Sequence, residues 1–216
     1  MTLRDVTFVL RNTVAVFLDP TRLGDLLEVC EILNRGSFRR LHAELARDAH
    51  GRRLLAERPE LTSRAVDLTA LRALPQRTLG RTFVDHLDAH QLDLDALALP
   101  VRREGEAADT YLLRRYRGNH DLWHALLGLG VSVREEVLVN AFSWGQLGLP
   151  QNHAVVTLGA LRHLATLRAP GEAARFLVDI RRHLRSGRRA TPLLAVRWED
   201  LWPLDVDEVR RALRVG

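Results

Sequence analysis

Residues 107–147 read AADTYLLRRYRGNHDLWHALLGLGVSVREEVLVNAFSWGQL. Apolar residues recur at helical spacing on both sides of Gly128-Leu129-Gly130. The first run reads as one long helix from about Ala107 to Leu127, weakened at Gly118 by about 1 kcal/mol relative to alanine and stopped by Gly128 and Gly130. The second opens on Ser132-Val133-Arg134-Glu135. This is a capping box in which Ser132 is the N-cap and Glu135 reaches back to it. That helix runs to about Leu147 and ends at Gly148 and Pro150. A helix, a glycine turn and a returning helix make an antiparallel pair, and this pair sets the fold class.

Outward from it the periodicity stays helical. Leu23, Leu26, Leu27 and Cys30 share a face ahead of Gly36, a further helix runs from Phe38 to about Asp48, and a short one from Arg52 to Arg58 stops at Pro59. Turns and a short helix fill Leu61 to Pro75, and a helix covers Leu79 to His90. Asp93 to Glu106, with Pro100, is a polar loop. Two more helices span Asn152–Leu167 and Gly171–Leu184, followed by a break at Ser186-Gly187-Arg188. Leu193–Trp198 is a strand or an extended run, and Asp205–Leu213 closes the chain as a helix. Val6, Val9, Leu10, Thr13, Val14 and Phe17 line one side of an N-terminal helix. That helix reads as core or dimer-packing in preference to membrane-surface, because its polar side is thin. Strand signals are sparse. The expected fold is all-α, a single mainly helical domain over residues 1–216.

The composition is that of a globular chain, 46% hydrophobic and 27% charged, which excludes general disorder. Cys30 is the only cysteine, so a disulfide scaffold and a cysteine zinc finger are excluded. All 32 basic residues are arginine, a codon bias expected of a GC-rich bacterial genome. They alternate with acids without a block of five like charges, so no nucleic-acid partner is expected despite the net charge of +5. No secretory signal and no membrane-spanning run is visible. The expected location is cytoplasmic, with membrane contact at most peripheral.

His120-Asp121-Leu122-Trp123-His124 carries the chemistry. Residues four apart share a helix face, so His120 and His124 aim two imidazoles at one point, and Asp121 adds an oxygen. This is a metal-ligand spacing. Glu135 is occupied by its cap. Glu136, one step around the returning helix, faces the histidines from the opposite wall, giving a metal site between two antiparallel helices. The ordinary reading of such a pair is a solvated or hydrogen-bonded one. His86 and His90, with Asp85 and Asp88, have the same spacing and read as surface residues, because no remote ligand follows them. Arg115 and Arg117 are candidate carboxylate or phosphate clamps, with surface ion pairing as the alternative. Tyr111, Tyr116 and Trp123 read as packing residues. The apolar stretch from Val137 to Leu167 reads mostly as hydrophobic core, and its small residues Gly145, Gly148, Gly159 and Ala160 suggest a groove for an apolar tail within it.

His-Asp-x-x-His, eleven residues, then Glu resembles the signature of the coenzyme Q (ubiquinone) biosynthesis protein 4 family. Here it falls on His120, Asp121, His124 and Glu136. Tyr111, Arg115, Tyr116 and Arg117 precede it in that family's pattern. Arg58-Pro59, Leu74-Pro75-x-x-Thr78-Leu79-Gly80, Gly148-Leu149-Pro150, Gly187-Arg188-Arg189-Ala190 and Trp198-Glu199 extend the resemblance over most of the chain. The family's eukaryotic members carry a mitochondrial presequence that is not seen here, as expected of a bacterial protein. The resemblance implies an all-helical, homodimeric, peripheral membrane protein on the cytoplasmic face of the inner membrane, working with other quinone-biosynthesis proteins. Its substrate would be a polyprenylated hydroxybenzoate that loses its C1 carboxylate, with hydroxylation of that carbon. His120, Asp121, His124 and Glu136 would be the metal ligands. Asp121 and Glu136 would be catalytic, Asp121 being the one released as base if only three bind. Arg115, Tyr116 and Arg117 would contact substrate. The resemblance implies a divalent ion, usually zinc. An oxidative reaction would favour manganese, iron or cobalt, since zinc has no redox role. The rivals are a lipid-binding scaffold without catalysis and, with less support, a zinc hydrolase, whose general-base glutamate is missing.

Overall fold

The computed structural model describes residues 2–19, 22–97, 101 and 107–215. Much of the polar loop expected between Asp93 and Glu106, including Pro100, lies outside the described residues, as does the side chain of Phe17. The described residues form α1 (Leu3–Leu18), α2 (Leu23–Asn34), α3 (Ser37–Leu45), α4 (Ala49–Glu57), α5 (Leu68–Arg72), α6 (Leu79–His90), α7 (Ala107–Gly118), α8 (His120–Leu127), α9 (Val133–Leu147), α10 (Pro150–Leu164), α11 (Pro170–Arg189) and α12 (Val206–Ala212). The architecture is all-α. The only strand-like pairing among these residues is an isolated bridge between Thr78 and Asp205. No described helix is long and apolar enough to cross a membrane.

α9 is the hub. Val137 to Ser143 are all buried, as expected of a helix that is apolar all round. Val139 and Phe142 join the main core with Trp123, Leu126, Phe83 and Trp198, while Val137, Leu138 and Ala141 join a smaller cluster with Val156 of α10 and Phe176 of α11. Packing on both sides fixes the position of Glu136 one residue before this stretch.

The fold departs from several sequence expectations. The long helix 107–127 is two, α7 and α8, meeting at Asn119. Its register carries through, because the Asn119 amide donates to Arg115 O and its carbonyl accepts from the Trp123 amide. At the joint a side chain on Gly118 would come within 3.1 Å of the Leu61 carbonyl. The break at Ser186-Gly187-Arg188 does not occur, and α11 runs through to Arg189. Gly187 is there because a Cβ would lie 2.1 Å from Phe142 O, and one on Gly145 would lie 2.3 Å from Leu184 O. These glycines bring α9 and α11 into backbone contact. α10 starts at Pro150, ahead of Asn152, with the proline at a first-turn position that needs no N–H. Leu193–Trp198 is no strand. Two 3-10 turns occupy Leu193–Ala195 and Trp198–Asp200, and Arg115 takes the carbonyls of Leu194 and Val196 that a ladder would have used. In α1, Asp5 and Asn12 are buried while Leu3, Leu10 and Val14 are exposed. Asp5 closes a capping box with Thr2 and lies 3.5 Å from Arg35, so this polar side packs inward. Leu10 and Val14 therefore lie outside this chain's own core, against the first half of the core-or-dimer-packing expectation.

Candidate metal centre

The site begins with two local devices. Gly128, at φ 67°, ends α8 in the left-handed conformation, a turn that glycine adopts without strain. Ser132 then starts α9 as expected: its hydroxyl accepts from the Glu135 amide, and the Glu135 carboxylate accepts from the Ser132 amide at 3.1 Å. The Ser132 hydroxyl also donates to Glu135 Oε2 at 2.6 Å, and this bond first, then the amides of Gly130 and Ser132, hold the Glu135 carboxyl below its ordinary range. Glu136, one position on, is left to face α8.

His120, His124 and Glu136 converge. His120 Nε2 and His124 Nε2 are 3.2 Å apart. Glu136 Oε2 is 3.4 Å from His120 Nε2, and its Oε1 is 3.4 Å from His124 Nε2. The donor atoms of the three residues all lie within 4.8 Å of one another. A tetrahedral ion with bonds of about 2.0–2.1 Å separates its ligands by about 3.3 Å; the two imidazole nitrogens match that spacing at 3.2 Å, and each has a different Glu136 oxygen at 3.4 Å. His124 Nδ1 lies 2.8 Å from Gly130 O. Since a carbonyl only accepts, Nδ1 carries the proton and Nε2 keeps its lone pair for the site, the usual outer support of a ligating histidine. His124 is fully buried.

Electrostatics bind the group together. Burial alone would lower the His120 pKa, but the bond to Glu136 and the charges of Glu136 and Asp121 outweigh it and raise the value. Burial would raise Glu136. Its bonds to both histidines, and their charges, hold it well below the usual carboxylate range. Asp121 is raised, chiefly by burial, against the pull of His120 and His124. Asp121 is not among the three that converge.

Arg115, Tyr116 and Arg117 face other partners. Arg115 is buried, with Nε donating to Leu194 O, Nη1 to Pro59 O and Nη2 to Val196 O. Its fork ties loops together. Arg117 is paired with Glu31 at 2.9 Å and donates to Leu27 O, both from one buried nitrogen. The Tyr116 hydroxyl accepts from Asn152 Nδ2 at 2.6 Å, and burial pushes its pKa up to about 12. Neither arginine pairs on the surface. Trp123 packs edge-on against Tyr116.

His86 departs from the surface reading. Its ring stacks on His124 with centroids 5.9 Å apart and 19° between planes, and its Nε2 is buried with no partner among the described residues. Burial, then the neighbouring His124 and His90, lower its pKa to about 4. The helical i, i+3, i+4, i+7 pattern of buried positions in α6 (Gly80, Phe83, Val84, Leu87) was the available signal, since His86 lies beside that stripe.

Fold and site together define an all-helical protein with a two-histidine, one-carboxylate cluster on consecutive helices. A family model described as coenzyme Q (ubiquinone) biosynthesis protein Coq4 matches residues 1–216. The chain belongs to this Coq4 family. The ubiquinone biosynthesis protein COQ4, mitochondrial, of Yarrowia lipolytica is 34% identical over 177 residues, covering 82% of this chain and 65% of that one. The protein of the same name from Clavispora lusitaniae is 36% identical over 180 residues, covering 82% and 54%. The Anopheles gambiae homolog is 30% identical over 204 residues, covering 94% and 71%. The chain thus spans between about half and seven-tenths of the length of these relatives. A crystal structure of a Nostoc punctiforme protein, assigned provisionally to ubiquinone biosynthesis, shares the fold at a TM-score of 0.73 and 21% identity, over 96% of this chain and 97% of that one.

Proposed function

We propose that this protein acts in the biosynthesis of ubiquinone or a related prenylquinone, as a divalent-metal-dependent decarboxylase at C1 of a polyprenylated hydroxybenzoate. Where that carbon is hydroxylated in the same step, the reaction is oxidative and needs a two-electron oxidant such as dioxygen, the carboxylate leaving as carbon dioxide. Family membership supports the pathway. The observation that carries the chemistry is the set of His120, His124 and Glu136 donors spaced 3.2–3.4 Å apart. Those three residues would hold the ion, with zinc the first choice and manganese, iron or cobalt the candidates for an oxidative step. When bound, the ion supplies a Lewis acid for the substrate carboxylate and for charge developing as the C–C bond breaks. Gly130 O keeps the His124 tautomer correct. Asp121, raised by burial and outside the trio, would carry a proton at its carboxyl oxygen.

Under this reading the protein works with other quinone-biosynthesis proteins, as a homodimer in peripheral contact with the cytoplasmic face of the inner membrane. The second reading is a lipid-binding scaffold that does not catalyse. It is favoured by one observation: the expected substrate contacts Arg115, Tyr116 and Arg117 are engaged elsewhere. The deciding experiment measures bound metal and carbon dioxide release from a prenylated hydroxybenzoate, for the native protein and Glu136→Ala. Metal and release in the native form, both lost in the variant, are expected. A metal-free native protein, or equal release by both, overturns the catalytic reading.

A further inference from the structure

α11 holds Arg175, Arg181, Arg182, Arg185, Arg188 and Arg189 against Glu172 and Asp179, so four of the chain's five net positive charges lie in one 20-residue helix. All six arginines are exposed. Among the described residues none of the six has an acidic partner, whereas Asp179 is engaged by Arg134 of α9. Phe176 and Gly187 turn inward against α9. At 3.6 residues per turn the six arginines share the outer face with Leu177 and Val178, and Val178 lies near its middle. Leu177 is 47% and Val178 63% exposed.

We propose that this face docks the protein onto an anionic lipid bilayer, with the arginines on headgroup phosphates and Leu177 and Val178 entering the apolar boundary. The proposal rests on the reading above that the substrate is a polyprenylated ring. A helix of this length lies about 30 Å along a surface, and clustered basic residues are attracted to anionic lipid additively over a Debye length. The charge alone would suit nucleic acid equally. Two facts favour lipid: apolar side chains sit inside the basic face, and none of the exposed large apolar residues among those described is aromatic, which leaves no platform for stacking bases. Arg182 also lines a cleft of about 270 Å³ with Leu126 and Leu127. The docking face therefore adjoins the end of α8, the helix that carries His120 and His124.

The test is flotation of the full chain with vesicles of phosphatidylcholine alone or with about one-third phosphatidylglycerol, at low and high salt. Binding to the anionic vesicles at least about tenfold tighter than to the neutral ones, and lost at high salt, is expected. Arg181→Gln/Arg185→Gln/Arg189→Gln should lose that preference with unchanged helicity and melting. Arg11→Gln/Arg47→Gln/Arg64→Gln, which removes the same charge elsewhere, should keep most of it. Equal binding to both vesicles, no binding, an α11 triple variant that binds like the native protein, or tighter binding to a single-stranded RNA oligonucleotide each overturns the proposal. Metal content and carbon dioxide release, measured in detergent, report on the proposed function separately. A native protein that docks but neither holds metal nor decarboxylates retains this inference and loses that one.

Discussion

α6 and α8 each carry two histidines four residues apart, with aspartates nearby, and they pack against one another. On α6, His86 and His90 touch edge to face with centroids 4.7 Å apart, nearly the 4.8 Å of His120 and His124. Helical spacing therefore delivers the same ring proximity twice. The pairs differ in what surrounds them. His120 and His124 meet a carboxylate from a returning helix, and His124 has its second nitrogen tied to a backbone carbonyl. His86 has a buried nitrogen without a partner among the described residues, and His90 is exposed. A pair of histidines becomes a candidate site only when a second element supplies a third donor and fixes a tautomer.

The comparison breaks most sharply at the metal. His120→Ala or His124→Ala should lower affinity for a divalent ion by more than about 100-fold, beyond what loss of an outer support costs, while His90→Ala should leave it unchanged. Metal stoichiometry after dialysis measures both. Retention of metal by His120→Ala, or its loss from His90→Ala, would reverse the assignment of the two pairs.

Acidity sharpens the same contrast. His120 is raised above its ordinary 6.5 and Glu136 is depressed below its ordinary 4.5. In metal-free protein a raised histidine stabilises fully below 6.5, and that contribution fades as pH climbs through its folded value. A depressed glutamate stabilises fully above 4.5 and fades as pH falls. The pair is thus worth most between about 4.5 and 6.5. Melting temperatures of metal-free native protein and Glu136→Gln should differ most in that window, and the gap should narrow toward pH 9. Added metal should invert the trend, since ligating imidazoles must be unprotonated and retention against a fixed chelator should fall with pH. A gap that does not vary with pH would show that the ion pair is absent in solution.

What was legible in the sequence was what local spacing dictates. The capping box at Ser132 and Glu135, the turn at Gly128 and the i, i+4 histidines are each specified within a few residues, and Glu136 follows from them by helix geometry. What was not legible depends on contacts remote in sequence. Gly187 looks like a break until α9 lies against it, when the absent side chain becomes the reason the helix continues. Arg115 looks like a clamp until Leu194 and Val196, some 79 and 81 residues away, claim its nitrogens. His86 looks solvent-facing because the stripe beside it is short, and only the packing of α6 on α8 turns it inward.

Two smaller effects separate support from ligation. Ser132→Ala removes the cap and should cost about 1 kcal/mol. It should also weaken metal binding modestly, because Glu136 lies one residue past the capped turn. Denaturant titration and metal competition on the same variant read the two effects.

His86→Phe is the mildest test. A group lowered to about 4 from 6.5 binds its proton more readily unfolded than folded. The native protein therefore loses stability as pH falls from 6.5 toward 4. Phenylalanine keeps a ring against His124 and removes both the titration and the unpartnered nitrogen. The variant should match the native protein at pH 8 within a few tenths of a kcal/mol and exceed it by about 1 kcal/mol at pH 5, a figure already reduced for the half-exposed ring. Metal content should not change. If His86→Phe instead emptied the site, the two histidine pairs would form one centre, and the contrast between α6 and α8 would disappear.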